Sequence, residues 1–528
     1  FTAEDEDSVI LEAYLEFSPV YPLNLPREAF PEESPRRIKL KPIDGSFDQK
    51  IEQFSANITD IMGGKEYEIK AVAKDAAGNV VEALLKTPYI REFENIAPLD
   101  DISVGTFYYP WYNKDDPWFH FWFNESEWKS LGYEASPLLG QYRSDDQIII
   151  SKHIDWATGH GIDYFLISWG YAGGPGGFND KVLKNLIVKN PLIEQIKFCI
   201  LYESGGRLTK SEEGEFDLTN SQNRQQLLKD FNYFIDNYFS HPSNLEIEDK
   251  KVIFFDASRF FVGDVQGALT ELRESVKGYQ VYLMCDALGN YLPPTNPRMI
   301  ELLKAFDAVT ADDMWCNNYG DPDARRDFVS YTDKTLELWK SHAEMYGKDM
   351  IPSINPGWEP YLYFKLYPDF DAPFLKRDKE RYKQLLSIGL KYVNHIIAGH
   401  FNEFFTHNHI EPDTQDDFTY LKVIREELPI VVPSSVFSNL DNYAGEWDAY
   451  TEGNLTWTKM NVGSPSRDGG LLKLSTTGGS PYSNVHFCRN FGAPHQKKEI
   501  GRIQMLRILG FLTQTKVYLF WKRSSIIT

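Results

Sequence analysis

Between residues 100 and 430, short apolar runs alternate with longer amphipathic segments, and this alternation limits what the chain can fold into. Eight of the apolar runs have the length of a β-strand: Ser103–Tyr109, Tyr164–Ser168, Lys197–Tyr202, Lys251–Asp256, Tyr279–Cys285, Ala308–Thr310, Met350–Ile354 and Ile396–Gly399. Helical spacing of apolar residues marks the segments between them, among them Asp145–Gly159, Ser221–Tyr238, Val265–Lys277, Thr332–Tyr346 and Asp378–Val393. A strand followed by an amphipathic helix is the unit of a parallel sheet, and eight units in about 330 residues predict a (β/α)8 barrel.

An open, doubly wound sheet is the competing arrangement for the same alternation. It would place a glycine-rich phosphate loop directly after the first strand. The chain has the aromatic sequence Tyr108-Tyr-Pro-Trp-Tyr112 at that point instead. The residues therefore favour the barrel, in which functional side chains lie at the C-terminal ends of the strands.

Segments rich in β-strand signals flank the predicted barrel. Tyr67–Lys74 alternates polar and apolar residues, Asp75–Asn79 is a turn sequence, and Val80–Leu85 completes a predicted hairpin. This pattern resembles an immunoglobulin-like or fibronectin-type-III-like β-sandwich. We therefore predict an N-terminal sandwich, the barrel and a C-terminal β domain, with bounds 1–97, 98–432 and 433–528.

The end of the predicted C-terminal β domain has an unusual composition. No acidic residue follows Glu499, while Lys and Arg recur. A native basic strand pair and an incomplete domain that ends in a non-native tail both fit this segment.

Charge and apolar content exclude two classes of partner. The chain has 55 Lys and Arg against 76 Asp and Glu, which gives a formal net charge of −21. Such a protein repels nucleic acid and anionic lipid surfaces. No apolar run reaches the roughly 18 residues of a membrane-spanning helix, so we expect no membrane span in this chain.

Three sequons for N-glycosylation, at Asn57, Asn124 and Asn454, favour an exported glycoprotein. Phe1 is not a natural first residue, so we expect that a leader has been removed or left out. The 4 cysteines are too few for a disulfide scaffold, and none has the C-x-x-C spacing of a metal site. We therefore expect an extracellular or cell-surface protein without a metal or another cofactor.

Acidic and aromatic side chains follow the predicted strands, at the end of the barrel where ligands bind. In chain order they are Tyr108, Tyr109, Trp111, Trp169, Tyr202, Glu203, Asp256, Asp286, Asp312, Asp313, Trp315, Trp358, Asn402 and Glu403. Sugar rings present apolar faces that stack on aromatic rings, and their hydroxyls pair with carboxylates and amides. The chain is 15% aromatic, which is more than a core requires. This set predicts a glycan or polysaccharide ligand.

Cleavage of a glycosidic bond would use such a set in a defined way. One acid protonates the leaving oxygen and one carboxylate assists the displacement, which two carboxyl groups with separated pKa values can supply. The chain contains no G-x-S-x-G elbow, P-loop or H-E-x-x-H helix. Glycoside hydrolysis is therefore the chemistry that these residues favour.

An ordered series of motifs spans residues 104–412. They are Tyr108-Tyr-Pro-Trp-Tyr112, Leu139-Gly-Gln-Tyr-Arg-Ser-Asp145, His153, Ile162-Asp-Tyr-Phe-Leu-Ile-Ser-Trp169, Pro352-Ser-Ile-Asn-Pro-Gly-Trp358, Phe401-Asn-Glu403 and Ile410-Glu-Pro412. Together they resemble glycoside hydrolase family 99. The resemblance implies a (β/α)8 enzyme that acts as a retaining endo-α-mannosidase or endo-α-mannanase. Related sequences occur in polysaccharide-biosynthesis clusters.

The motif of the eighth strand contains the family's catalytic residues. The family reads Asn-Glu-Trp-His-Glu-Gly-Thr-Gln-Ile-Glu-Pro, and this chain reads Asn402-Glu-Phe-Phe-Thr-His-Asn-His-Ile-Glu-Pro412. The resemblance implies that Glu403 deprotonates the sugar 2-hydroxyl, whose oxygen then attacks the anomeric carbon. The family's acid for the leaving group falls on Thr406, whose hydroxyl is too weak an acid for this step. Phe404 and Phe405 replace the Trp and His of the motif.

The replacement at Thr406 leaves three interpretations open. The acid comes from elsewhere in the site, the enzyme uses a different mechanism, or the barrel binds glycan without cutting it. The candidates for an acid from elsewhere are His407, His409, Asp312 and Asp313. Either aspartate could be the missing partner if it lies within about 5 to 10 Å of Glu403.

We predict cleavage within an α-linked glycan, with Glu403, Asp312, Asp313 and His407 as catalytic candidates and His409 and Asn402 among those that bind substrate. The first alternative is a non-catalytic glycan-binding or cell-surface structural protein. The second is a polysaccharide-assembly protein, although the sequence contains no recognisable cradle for the diphosphate of an activated donor. The pattern H-x-H-x-E that begins at His407 lacks a third His, so no metal site is predicted.

Overall fold

The computed structural model forms two compact units, Phe1–Leu428 and Pro429–Thr528. It describes residues 2–4, 9–21, 35–49, 51–55, 63–87, 89–96, 102–113, 135–171, 173–276, 278–288, 292–361, 372–428, 445–451, 458–462, 484–489, 498–505 and 519–522. The three sequon asparagines lie outside these residues. None of the helices among the described residues is long and apolar enough to cross a membrane.

Eight parallel strands form a barrel in the first unit. In chain order they are Ser103–Tyr108, Tyr164–Trp169, Lys197–Glu203, Lys250–Asp256, Val281–Asp286, Ala308–Thr310, Asp349–Met350 and His395–His400. Each strand pairs with the next up to the seventh, and the eighth pairs with the first. The ring closes through a parallel bridge between Ser353 and Ile397, where Ile354 N donates to Ile397 O at 2.8 Å. The prediction of a (β/α)8 barrel is confirmed.

Helices cover the outside of the barrel, which explains why its strands read as continuous apolar runs. All six residues of Tyr164–Trp169 are buried, for example. The helices are Gln147–Thr158, Phe178–Val182, Ser204–Arg207, Ser221–Phe234, Val265–Ser275, Pro297–Ala305, Met314–Asn318, Pro322–Arg326, Phe328–Met345, Lys379–Tyr392 and Thr419–Glu427. Several of these helices begin at a polar N-cap residue. The Asp146 carboxylate accepts a hydrogen bond from Ile148 N, and the Asp378 carboxylate accepts one from Arg381 N.

Most predicted elements differ from the structure by one or two residues at an end, and two differ for an identifiable reason. The seventh strand is only Asp349–Met350, because the chain then turns and rejoins the sheet at the single bridge of Ser353. The helix predicted from Thr332 begins at Phe328, where the Asp327 carboxylate accepts from Ser330 N. Caps of this kind lie outside the apolar periodicity from which the helix was predicted.

The N-terminal residues form two antiparallel sheets around a small core. The strands are Thr2–Glu4, Ile10–Val20, Arg36–Lys39, Lys41–Pro42, Ile51–Ser55, Glu66–Asp75 and Val80–Lys86. The last two form the predicted hairpin, with Lys74 opposite Val80. Ile10, Leu40 and Phe54 belong to the core cluster. The immunoglobulin-like assignment and the boundary at residue 97 stay predictions.

The second unit contains one five-stranded antiparallel sheet. Its strands are Gly445–Thr451, Thr458–Val462, Asn484–Arg489, Lys498–Met505 and Leu519–Lys522. The strand Gly445–Thr451 pairs with Thr458–Val462 on one side and with Asn484–Arg489 on the other, and the remaining strands follow in chain order. The extent of a C-terminal β domain stays a prediction.

Candidate active site

A pair of carboxyl groups lies at the ends of the third and fourth barrel strands. Glu203 and Asp256 are direct partners in the parallel register of these strands. Ser168, from the second strand, donates a hydrogen bond from Oγ to Glu203 Oε1 at 2.7 Å. Burial and the neighbouring Asp256 raise the pKa of Glu203 well above its usual value. Burial together with the repulsion between the two carboxylates therefore favours the protonated form of Glu203.

Glu403 lies just past the end of the eighth strand and accepts two hydrogen-bonding contacts on one oxygen. Its Oε2 is 2.8 Å from His400 Nδ1 and 2.8 Å from Thr406 Oγ1. Burial raises the pKa of Glu403, but the His400 ring and the hydrogen bonds from His400, Thr406 and Asn408 lower it more, so the net shift is downward. Glu403 is therefore a carboxylate at neutral pH.

A local irregularity of the eighth strand turns His400 toward this carboxylate. The register with the first strand shifts between Ile397 and His400, as it does at a β-bulge. Gly399 has φ 81°, and a Cβ there would lie 2.8 Å from Asn355 Oδ1, so a residue with a side chain would be strained at this position. Thr106 Oγ1 donates to Gly399 O at 2.7 Å and holds the bulge in place.

His400 is fully buried and lies between two acidic residues. Its Nδ1 faces Glu403, and its Nε2 is 3.1 Å from the main-chain oxygen of Asp312 and 3.7 Å from Asp312 Oδ1. The Tyr109 hydroxyl is 2.9 Å from Nδ1, and the Tyr109 ring stacks on the imidazole with centroids 5.6 Å apart. Burial alone would lower the pKa of His400, but Glu403 and Asp312 raise it to about 9.

Asp312 presents the most accessible carboxyl group in contact with His400, since its side chain is 34% exposed. Its main chain is fixed, because Asp312 N donates to Asp286 Oδ1 at 3.0 Å and Ser353 Oγ donates to Asp312 O at 3.1 Å. None of the described residues donates a hydrogen bond to the carboxyl group itself. Burial, with nearby Asp256 and Glu403, raises the pKa of Asp312 to about 7 against the opposing effect of His400.

The other candidates for the acid have different surroundings. Asp313 is buried and caps the helix Met314–Asn318 by accepting from Cys316 N at 2.9 Å. His409 is fully buried, with Nε2 2.9 Å from Asp413 Oδ2, and burial next to Arg377 holds its pKa well below its usual value. His409 is thus part of a buried ion-pair cluster with Asp413 and Arg377, and its contact with a substrate stays a prediction.

His407, the remaining candidate, is in contact with a residue that sequence reasoning missed. Its Nδ1 is 3.1 Å from Glu359 Oε1. Glu359 follows the predicted site residue Trp358 directly, and its main-chain N donates to Thr406 O at 2.6 Å. Tyr361 OH also donates to Glu359 Oε2 at 2.9 Å. These bonds fix the loop after the seventh strand against the loop after the eighth.

Comparison with known proteins gives structural neighbours only. Neither a protein-family model nor a curated protein matches the chain. A solved "Glycoside hydrolase-like protein" is 18% identical, over 64% of this chain and 97% of that chain, with a TM-score of 0.49. A GH99 endo-α-mannosidase from Bacteroides thetaiotaomicron, in complex with bis-tris propane, is 19% identical over 62% and 96% of the two chains, with a TM-score of 0.46. The chain is thus similar to solved structures of glycoside hydrolase family 99.

Thr406 lies beside Glu403. Its hydroxyl donates to the Glu403 carboxylate, and its side chain is buried. Thr406 therefore stabilises the charged form of Glu403. It lies in the same segment after the eighth strand as Glu403, so it is not a partner on the opposite side of the site.

Aromatic residues from the first strand end lie next to the acidic cluster. Tyr109 stacks on Trp111 with centroids 4.2 Å apart. Trp111 also contacts Phe405 at 5.7 Å and Tyr171 at 6.4 Å between centroids. Tyr171 is 44% exposed, so this aromatic cluster reaches the surface just after the second strand.

Three aromatic residues predicted to bind substrate lie instead in the layer between the barrel strands and the helices. The Tyr108 hydroxyl is 3.0 Å from His153 Nδ1, Trp169 Nε1 donates to Asp180, and Tyr202 OH donates to Asp230. Successive side chains of a strand point to opposite faces, so Ser168 and Glu203 face the barrel interior while their neighbours Trp169 and Tyr202 face outward. Contact of these three residues with a substrate stays a prediction.

Three further residues predicted to bind substrate are buried in the structure: Asp286, Trp315 and Trp358. Asp286 is fully buried and accepts from Asp312 N, Ala257 N and the Arg259 guanidinium. Trp315 and Trp358 pack with Ala372 in a separate apolar cluster. Asp286 thus positions Asp312, and the two tryptophans support the loops around it.

Asn402 joins the two loops that hold Glu403 and Tyr109. Its Oδ1 accepts from Tyr109 N at 2.8 Å, and its Nδ2 donates to Tyr109 O at 3.0 Å. Asn402 is fully buried, so it positions the site and is not available to a ligand. Its contact with a substrate stays a prediction.

We expect Asn402→Ala to lower the free energy of unfolding of the barrel by about 2 to 4 kcal/mol, because it leaves a buried N–H and a buried C=O of Tyr109 without partners. Thermal and urea denaturation would measure the change. The matched control is Asn237→Ala, since the Asn237 amide bonds to Tyr233 O one turn earlier in an outer helical segment. Equal losses in both variants would contradict the positioning role of Asn402.

Proposed function

We propose that this chain is a glycoside hydrolase that cleaves within an α-linked glycan and that uses Glu403 and Asp312 as its two carboxyl groups. The observation that carries the proposal is the contact of both groups with one imidazole ring, 2.8 Å from Glu403 Oε2 and 3.7 Å from Asp312 Oδ1. Since only one ring separates them, the two oxygens lie less than about 10 Å apart, within the range of paired glycosidase carboxylates.

The protonation states of the two groups match the two roles. The pKa of Glu403 is below its usual value and that of Asp312 is about 7, so one group is charged when the other still holds a proton. Glycoside hydrolysis needs this division between an acid and a carboxylate. The exposed fraction of Asp312 gives it access to a leaving oxygen.

The reaction follows from these states and from the resemblance to family 99. Asp312 donates its proton to the glycosidic oxygen as the bond to the anomeric carbon breaks. Glu403 accepts the proton of the sugar 2-hydroxyl, whose oxygen attacks the anomeric carbon. Water then opens the resulting three-membered ring, Asp312 takes a proton from that water, and Glu403 returns a proton to the 2-oxygen. Two displacements at one carbon give retention of configuration.

Binding of glycan without cleavage is the second candidate function, and Thr406 at the acid position of the family motif is the observation that favours it. A pure binding protein would not need a carboxylate with an imidazole partner, whereas Glu403 has one. We therefore place hydrolysis first. An extracellular or cell-surface location remains part of the proposal on the basis of the sequons.

A panel of α-linked glycans, assayed in parallel for binding and for product release, tests the proposal. We expect internal cleavage of at least one bound α-mannan or related glycan, with an α-configured product by NMR of the fresh digest. Binding without any product would instead support the non-catalytic alternative. Cleavage from chain ends only, or inversion, would contradict the proposed mechanism.

The exposed Tyr171 is the residue that we expect to stack on a sugar ring. Tyr171→Ala should raise the dissociation constant of a bound glycan by about 2- to 10-fold, since an aromatic contact is worth roughly 0.5 to 1.5 kcal/mol. Tyr171→Phe keeps the ring and is the matched control. Calorimetric titration would measure both, and equal affinity of Tyr171→Ala and wild type would exclude Tyr171 from the binding surface.

A further inference from the structure

We propose that His400 is a positioning residue that gives the two carboxyl groups different roles. Its imidazolium binds Glu403 directly, and Asp312 is left as the group that holds the exchangeable proton. This inference rests on the proposed function for its catalytic consequence. Its structural part, the charged ring between two acids, can be tested without a substrate.

The contacts of the ring are unequal. Nδ1 is 2.8 Å from Glu403 Oε2, which is hydrogen-bonding distance, whereas Nε2 is 3.7 Å from Asp312 Oδ1 and directs its hydrogen to the Asp312 main-chain oxygen at 3.1 Å. A cation held in this way stabilises the anion of Glu403 more than that of Asp312. The unequal contacts of one ring thus account for the difference in protonation between Glu403 and Asp312.

The ring is held rigidly in this orientation. Tyr109 stacks on one side of it, and Phe107 packs against it with centroids 4.9 Å apart. The imidazole is fully buried, so water does not screen its charge. The bulge next to Gly399 fixes the backbone from which it projects.

The titratable groups that act on His400 come from three elements of the barrel. Glu403 lies after the eighth strand, Asp312 and Asp313 lie after the sixth, and the Tyr109 hydroxyl lies after the first. All three carboxyl groups favour the protonated ring, which agrees with a pKa of about 9 for His400. The ring is therefore charged throughout the pH range in which the two carboxyl groups titrate.

His400→Asn keeps polar atoms near both acids but removes the charge. Loss of a cation in contact with a carboxylate raises the pKa of that carboxylate by roughly 1 to 3 units. We expect both limbs of the pH profile of kcat/KM to move to higher pH by about one unit or more. The maximal rate should also fall. A residue that only supported the fold would lower the rate without moving the limbs.

Titration of the histidine ring by NMR tests the structural part in the absence of substrate. We expect one ring in the wild-type protein to stay protonated to about pH 9, and this ring to titrate at least one unit lower in Glu403→Gln. The resonance that His400→Asn removes assigns the ring; if that variant does not fold, the shift in Glu403→Gln alone identifies it.

The two possible failures are distinguishable. If no histidine ring titrates above its ordinary range, or if His400→Asn leaves the pH limbs in place, the role of His400 is overturned even though the enzyme cleaves glycan. If the ring titrates as expected but no glycan is cut, the inference about the ring stands and the proposed hydrolysis fails.

Discussion

Glu403→Gln is expected to lower kcat for glycan cleavage by about 1,000-fold. The amide is nearly isosteric but cannot accept the proton of a sugar hydroxyl, and general acid–base groups of this kind contribute roughly 10²- to 10⁴-fold. KM should change little, because the aromatic cluster of Tyr109, Trp111 and Tyr171 is untouched. Steady-state kinetics on the best glycan of the panel would measure both constants.

Glu337→Gln is the matched control for this variant. Glu337 is exposed on the outer helix Phe328–Met345, so the same chemical change there should leave kcat within twofold of wild type. Cleavage by Glu403→Gln at more than a tenth of the wild-type rate would exclude Glu403 as the proton acceptor.

Asp312→Asn is expected to have the second-largest effect, a fall in kcat of about 100-fold for a natural glycan. In the proposed mechanism Asp312 acts in its protonated form, so the wild-type rate should fall as the pH rises through about 7, the pKa of Asp312. This limb should be absent in Asp312→Asn, which has no group to titrate there.

A substrate with an activated aryl leaving group separates this role from simple loss of structure. Such a leaving group departs without protonation, so kcat/KM of Asp312→Asn for this substrate, which reports the first displacement, should stay close to wild type, while that of Glu403→Gln should fall. The later attack of water still lacks its base in Asp312→Asn, so kcat of this variant should remain low. Equal loss of kcat/KM on the natural and the activated substrate would mean that Asp312 is not the acid, and His407 with Glu359 would become the next candidate.

The barrel was predictable from the sequence because its physical causes are local. A parallel strand covered on both faces needs a continuous apolar run, and a helix on its surface needs one apolar stripe. Lys197–Glu203 and Lys379–Tyr392 have these patterns and form a strand and a helix. The seventh strand was the exception, since its pairing depends on a distant partner, Ile397.

The site was predictable only in part. The position of Glu403 and Asp312 at one end of the barrel was predictable, because polar residues that follow barrel strands share that end. The outward direction of Trp169 and Tyr202 was not, because a shift of one residue along a strand moves a side chain to the opposite face. His400 was missed because the direction of its ring depends on the bulge at Gly399, and a glycine in a strand suggests a bulge without showing where the next side chain points.

The sequence by itself determined the number and order of the strands and the end of the barrel at which acidic residues gather. Only the tertiary structure decided which of these acidic residues lie close together. His400 and Asp312 are 88 positions apart in the chain, and their contact depends on the closure of the ring between the sixth, seventh and eighth strands. Spacing along a chain encodes periodic structure, whereas charge pairing depends on distances that exist only once the ring has closed.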